Sequence, residues 1–103
     1  MPKASKSQSK KIIVTHPRTG TERKFDEAVY TPFRSAIIQS LKKSSGKTFT
    51  ELTDDVIKII RKKMPAFKGS IPWYTISVLL DLQTRGITET FIKKGQKLNR
   101  LSN

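Results

Sequence analysis

The stretch SIPWYTISVLLDLQTRGITETFIKKGQKLNRL, Ser70–Leu101, decides the reading of this chain. Ser70 is a helix N-cap residue. Residues 71–85 follow as one helix, stopped by Gly86. Trp73, Ile76, Val78, Leu79, Leu80 and Leu82 cannot share one stripe of it, so the helix should be contacted on more than one side. Ile87 to Ile92 is then β-favouring. Lys93-Lys94-Gly95-Gln96 is a tight turn, and residues 97–101 return as a second strand. Leu98 and Leu101 are out of period-2 phase, which predicts a bulge or an early stop in that strand.

Upstream, Leu52, Val56, Ile59, Ile60 and Met64 make the buried stripe of another helix. Thr50 or Thr53 is its expected cap, and Pro65 ends it. Lys58, Arg61, Lys62 and Lys63 crowd its last turns, as a phosphate patch or a solvated helix end. Phe33, Ala36, Ile37 and Leu41 recur at i, i+3, i+4 and i+8 on an earlier helix. Asp26 or Thr31-Pro32 starts that helix, and Gly46 closes it after Lys43. Between the two, residues 48–50 allow one short strand. Ile12 to Thr15 is a β-branched run, His16-Pro17-Arg18-Thr19-Gly20 a turn, and Thr21 to Phe25 a return strand.

The 103 residues carry 21 Lys plus Arg against 8 Asp plus Glu, a net charge of +13, with 35% hydrophobic residues and no cysteine. One domain is expected over residues 12–103, with a strand extension over 12–31. Residues 1–11 hold four lysines and no acid and lack large apolar groups until Ile12. They are expected to be a disordered basic tail. No apolar run approaches the roughly 20 residues that span a bilayer, and no apolar segment follows the first lysines as in a secretory signal. Absence of cysteine removes disulfides, thiolate metal sites and a Cys nucleophile, and fits a cytoplasmic setting. Charge of this sign and size attracts polyanions. It is densest at the two ends, and residues 70–86 are neutral, with Asp81 against Arg85.

The order of elements over residues 32–101 is helix, short strand, helix, turn, helix ending in Gly, then a basic hairpin. It resembles a winged helix-turn-helix domain. Trp73-Tyr74, Leu80-Asp81-Leu82 and Arg85-Gly86, with His16-Pro17 and Gly20 upstream, are similar to a small bacterial family of winged-helix-like proteins with no established biochemical role. The fold class this implies is α+β, mainly α: a three-helix core, a C-terminal β-hairpin wing and a short N-terminal strand region. The broad resemblance places the third helix in a major groove and the wing along the backbone. On that basis Lys93, Lys94, Lys97 and Arg100 are candidate phosphate ligands, and Lys68 and Ser70 would hold a phosphate at the third helix's N-terminus. Tyr74 and Ser77 are candidate contacts on the outer face of that helix. That face, near Tyr74, Ile76, Ser77, Leu80 and Asp81, has no Arg, Lys or Asn for direct readout. Either the N-terminal strands cover it, or it is an interface with a second copy or a protein partner. Trp73 and Tyr74 are aromatics of the kind that stack on bases; helical spacing assigns Trp73 to the core instead.

Other chemistry lacks a constellation. His16 is the only histidine, so no metal set assembles around it. Asp54 and Asp55 are adjacent on a helix and diverge. No glycine pattern of a phosphate loop is present, and nothing joins nucleophile, base and orienting group. No enzyme activity, cofactor, metal, membrane association or small-molecule substrate is expected. The function expected is nucleic-acid binding, DNA ahead of RNA, through largely sequence-independent phosphate contacts, with a role connected to transcription. The alternative is a self-association or protein-interaction module acting through the third helix.

Overall fold

β-favouring runs joined by turn residues build two hairpins, and 3.6-residue periodicity builds three helices between them. A computed structural model describes residues 11–16 and 19–102. Of the expected basic tail only Lys11 is among the described residues, and Pro17 and Arg18 of the expected turn lie outside them. The order is β1 (Lys11–Thr15), β2 (Glu22–Asp26), α1 (Glu27–Lys42), α2 (Phe49–Lys63), α3 (Ile71–Thr84), β3 (Thr88–Lys93) and β4 (Gln96–Leu101). The fold is α+β and mainly helical, with two separate two-stranded antiparallel sheets. Among the described residues no helix is long and apolar enough to cross a membrane.

The core is the meeting point of the two predicted stripes and one face of α3. Phe33, Ala36, Ile37 and Leu41 of α1 are buried against Leu52, Val56 and Ile60 of α2 and Val78, Leu79 and Leu82 of α3. Full burial of each large side chain is worth about 1.5–3 kcal/mol, so the stripes alone supply most of the drive for the three helices to pack. Ile59 and Met64 lie at the margin of this core. Helix α1 begins after Asp26 and runs through Pro32, so the Asp26 start is the one used. Pro32 removes one backbone donor from its second turn, and packing of Tyr30 and Phe33 on either side offsets that loss.

Two caps differ from expectation. Helix α2 is capped by Thr48, one turn ahead of Thr53. Thr48 Oγ1 accepts from Glu51 N–H at 3.2 Å, and Thr48 N–H donates to Glu51 Oε1 at 2.9 Å. This reciprocal box uses Glu51, which neither Thr50 nor Thr53 has three residues on. Gly46 does not close α1, which ends at Lys43. It is small for another reason: a Cβ there would stand 2.7 Å from Phe91 Cζ and 3.3 Å from Leu98 Cδ1. The β3–β4 hairpin rests on it.

That contact also explains why β4 neither bulges nor stops early. It pairs with β3 continuously from Lys93–Gln96 to Thr88–Leu101. Leu98 packs over Gly46 on one face, and Leu101 meets the main core on the other. Both faces touch protein at the base of the hairpin, so period-2 amphipathicity does not apply. Lys47 extends this sheet by one bridge to Asn99, with N–H to O distances of 2.9 and 2.7 Å. At the other end of the hairpin, Lys94 (φ 51°) and Gly95 (φ 80°) both take positive φ, the geometry of a tight two-residue turn.

Candidate functional site

Helix α3 has two faces, and the structure treats them differently. Thr75, Val78, Leu79 and Leu82 point into the core. The opposite face meets β1, which lies along the helix and presents its free backbone edge to it. Thr15 N–H donates to Asp81 Oδ1 at 3.1 Å. Thr84 Oγ1 donates to the Thr15 carbonyl at 3.1 Å, and Arg85 Nη2 donates to the Ile13 carbonyl at 3.0 Å. An unpaired strand edge is thereby satisfied by side chains of one helix end.

Asp81 is the centre of this latch. It is 1% exposed, and of the two coverings expected for this face, the N-terminal strands or a partner, the strands supply the one seen here. Tyr30 Oη donates to Asp81 Oδ2 at 2.6 Å, and Arg85 Nε donates to the same oxygen at 2.7 Å. A charge this deep needs such partners; loss of either side leaves an uncompensated ion. The surroundings shift the partners in turn. Burial, then the bond to Asp81, pushes the Tyr30 phenol up to about 12, so it stays a donor. The bond to Asp81 also raises the Arg85 guanidinium above its already high value.

The covered face alters the standing of each candidate contact on α3. Ser77 sits under the N-terminal hairpin, lining a hollow of about 190 Å³ with Val14, Thr15, Arg23 and Leu80. Tyr74 is half-buried in an aromatic cluster, with ring centroids 5.2–5.5 Å from Phe25, Phe33 and Phe67. Ser70 spends its hydroxyl on capping, accepting from Trp73 N–H at 3.3 Å, while Tyr74 N–H bonds the Ser70 carbonyl. Pro72 has no N–H to offer. The first turn of α3 therefore keeps few donors for an anion, although Lys68 beside it is exposed.

The β3–β4 hairpin divides its cations. Lys93, Lys94 and Lys97 are exposed around the tip, and no carboxylate among the described residues pairs with them. Lys97 stands opposite Ile92, Lys93 opposite Gln96, and Lys94 in the turn, so positive charge faces outward on both sides. Arg100, nearer the base, is already engaged: it donates to Glu89 at 2.6 Å and lies over the Phe91 ring at 4.3 Å. Lys47 is spent as well. Its ammonium is bonded to Asp55 and reaches Ser40 Oγ at 3.2 Å, tying α1, α2 and the wing bridge together. The Lys47 bond, followed by that from Ser40, holds the Asp55 carboxyl below its ordinary range. Lys58, Arg61, Lys62 and Lys63 are exposed at the end of α2.

Sequence reasoning missed one cationic group and misplaced one aromatic. Trp73 is 42% exposed and stands outside the core, contrary to its expected burial. Its neighbours include Arg23, whose guanidinium lies 5.7 Å from the indole centroid. The signal was present in the strand period. Phe25 is the buried residue of β2, so Arg23, two positions before it, shares its inward face. Helical spacing alone places Trp73 one residue before the cluster residue Tyr74, and a helix turns about 100° per residue, enough to carry it to the rim.

Among the described residues no group of three His, Cys, Asp or Glu side chains can hold a metal ion. A protein-family model, described as a family of unknown function (DUF6958), matches residues 11–98. The match begins at β1 and so includes the N-terminal hairpin along with the helices and most of the wing. No curated protein and no solved structure matches the chain.

Proposed function

This chain belongs to that family of unknown function, and from its own residues we propose that it binds nucleic acid, DNA before RNA, by sequence-independent contacts to the phosphate backbone. The observation that carries the reading is the tip of the β3–β4 hairpin. Lys93, Lys94 and Lys97 surround it on both faces of the hairpin, without a carboxylate partner among the described residues, at a turn where Lys94 and Gly95 take positive φ. We read the scaffold as winged-helix-like. The order helix, helix, helix, hairpin supports this, as does the Lys47–Asn99 bridge, which adds a third strand position to the wing. The occupied outer face of α3 fits a binder without base readout, because direct readout needs Arg, Asn or Gln reaching into a groove. It also removes the motive for self-association through that face, which β1 already fills. The cytoplasm, with a part in transcription or in packaging of DNA, is the setting in which such a protein acts.

The test is a titration of fluorescent duplexes of unrelated sequence over a range of salt. Binding should be alike for all of them and weaken as salt rises, by about 0.9 of a log unit per log unit of salt for each phosphate neutralised. Replacing Lys93, Lys94 and Lys97 together by Ala should flatten that slope by about 3. Such exposed positions should leave stability within about 0.5 kcal/mol. A flat salt response in the unaltered protein, or an unchanged slope in the triple variant, would refute the proposal.

A further inference from the structure

An exposed tryptophan beside an arginine and a lysine that no carboxylate among the described residues pairs with is the second feature that points to a ligand, the Arg23 guanidinium lying over part of the indole at 5.7 Å. Trp73 is the only tryptophan in the chain, at the third position of α3. One part of its ring is fixed: Tyr74 meets it edge-on at 4.9 Å and Phe25 at 5.7 Å, tilted. The rest opens into a hollow of about 490 Å³ lined by Arg23, Lys24, Phe25, Val29 and Tyr74, with Lys11 and Asp26 at its edge. That volume is within the roughly 300–1,000 Å³ of small-ligand sites. Asp26 is the only acid in the hollow, and it is bonded to Lys11. Arg23 and Lys24 thus leave a positive balance around a flat, partly bare π-surface.

These groups match the two halves of a nucleotide. A planar base stacks on an indole that is rigid because its neighbours hold it, and the adjoining phosphate needs a cation within reach. Duplex DNA keeps its bases stacked on one another and cannot offer one to a surface hollow without unpairing it. We propose that the Trp73 hollow binds an unpaired nucleobase, with the indole as the stacking surface and Arg23 on the adjoining phosphate. The inference rests on the nucleic-acid reading for its class of ligand. It is independent of the wing, which holds backbone only, and it gives the protein a preference for frayed ends, gaps or single strands over closed duplex.

The single tryptophan makes the experiment direct. A thymidine oligonucleotide of about eight residues, a length within the range of single-strand modules, is added to the full chain at low salt. Trp73 fluorescence should be quenched to saturation, whereas a relaxed closed-circular duplex should leave it nearly unchanged. The Lys93, Lys94 and Lys97 triple-Ala variant should keep the quench, which separates this site from the wing. Trp73→Ala should weaken binding of the oligonucleotide about 5- to 150-fold, the range for loss of one stacked base. Trp73→Phe, which keeps a ring against Phe25, should retain most of it, and Arg23→Ala should weaken it several-fold. An abasic oligomer of the same length should neither quench nor bind comparably. Equal quenching by the abasic oligomer, or no quench by the thymidine oligonucleotide, overturns the proposal. So does a response confined to vesicles of anionic phospholipid, which would mark the hollow as a lipid-surface contact. The unaltered protein decides these outcomes whether or not Trp73→Ala folds.

Discussion

The two hairpins of this protein are alike in size and opposite in use. Each strand of β1–β2 has five residues and each of β3–β4 has six, both antiparallel. The N-terminal hairpin turns Val14 and Phe25 into the core and gives the open edge of β1 to Asp81, Thr84 and Arg85. The C-terminal hairpin is anchored only at its base, by Asn99 on Lys47 and by Phe91 and Leu98 over Gly46. Its tip carries Ile92, 68% exposed, among three lysines. A hairpin whose edge and inward side chains are both satisfied serves as a cover. One satisfied at a single end is left to present the other.

The sharpest way to break the contrast is Asp81→Ala. It strips a buried latch and leaves Arg85, Tyr30 Oη and Thr15 N–H without their acceptor. The cost should be about 3–5 kcal/mol, a fall of more than about 10 °C in melting temperature. Hydrogen exchange should then accelerate in β1 and β2 well before β3 and β4. Uniform acceleration across both hairpins would show that the latch is not local.

Gly46→Ala attacks the other anchor. The new methyl meets the end of the Phe91 ring, so the wing must shift, at about 1–3 kcal/mol of overpacking. NMR shift changes should centre on Phe91 and Leu98 and spare Val14 and Phe25.

Acid and alkali should separate the two hairpins without mutation. Asp55 has its folded value lowered, so its contribution is present above the ordinary carboxylate value of 3.8 and is lost as pH falls through the folded one. Acid should therefore loosen the Lys47 junction beneath the wing, and Asp55→Asn should remove that part of the acid slope. Tyr30 is raised from 10.0 to about 12, so its contribution is full below pH 10.0 and is lost as pH rises through about 12. Alkali should loosen the N-terminal latch, and Tyr30→Phe should lack that loss. Melting curves across pH decide both.

The smallest effect expected is from Glu89→Gln, which leaves Arg100 stacked on Phe91 and releases its charge. The slope of duplex binding against salt should steepen by up to about 0.9, with stability changed by about 1 kcal/mol at most. An unchanged slope would place Arg100 away from the DNA backbone.

Much of this architecture is legible along the chain because it is local. The stripes at Phe33, Ala36, Ile37 and Leu41, and at Leu52, Val56 and Ile60, need only the helical period. Ser70, Gly86 and Lys94-Gly95 need only capping and turn chemistry. The latch is different. Thr15 and Asp81 are 66 residues apart in sequence, Tyr30 and Asp81 51, and Ile13 and Arg85 72. Two of the groups on β1 are carbonyls and one is an amide, which every residue but proline carries, so no residue type announces them. An aspartate on a helix reads as solvent-facing until three donors from elsewhere surround it.

The same division holds for the charge. The sequence by itself determined the sign and size of the attraction, +13, and its absence from residues 70–86. It also determined three helices and two hairpins, since propensity and periodicity act within a few residues. Apart from the Asp81–Arg85 pair, four residues apart at one helix end, tertiary structure and strand register decided which cations remain available. Lys47, Arg85, Arg100 and Lys11 are consumed by Asp55, Asp81, Glu89 and Asp26, while Lys93, Lys94 and Lys97 are not. Tertiary structure also set Trp73 at the rim beside Arg23, because exposure and pairing depend on which distant surface the packed core brings alongside.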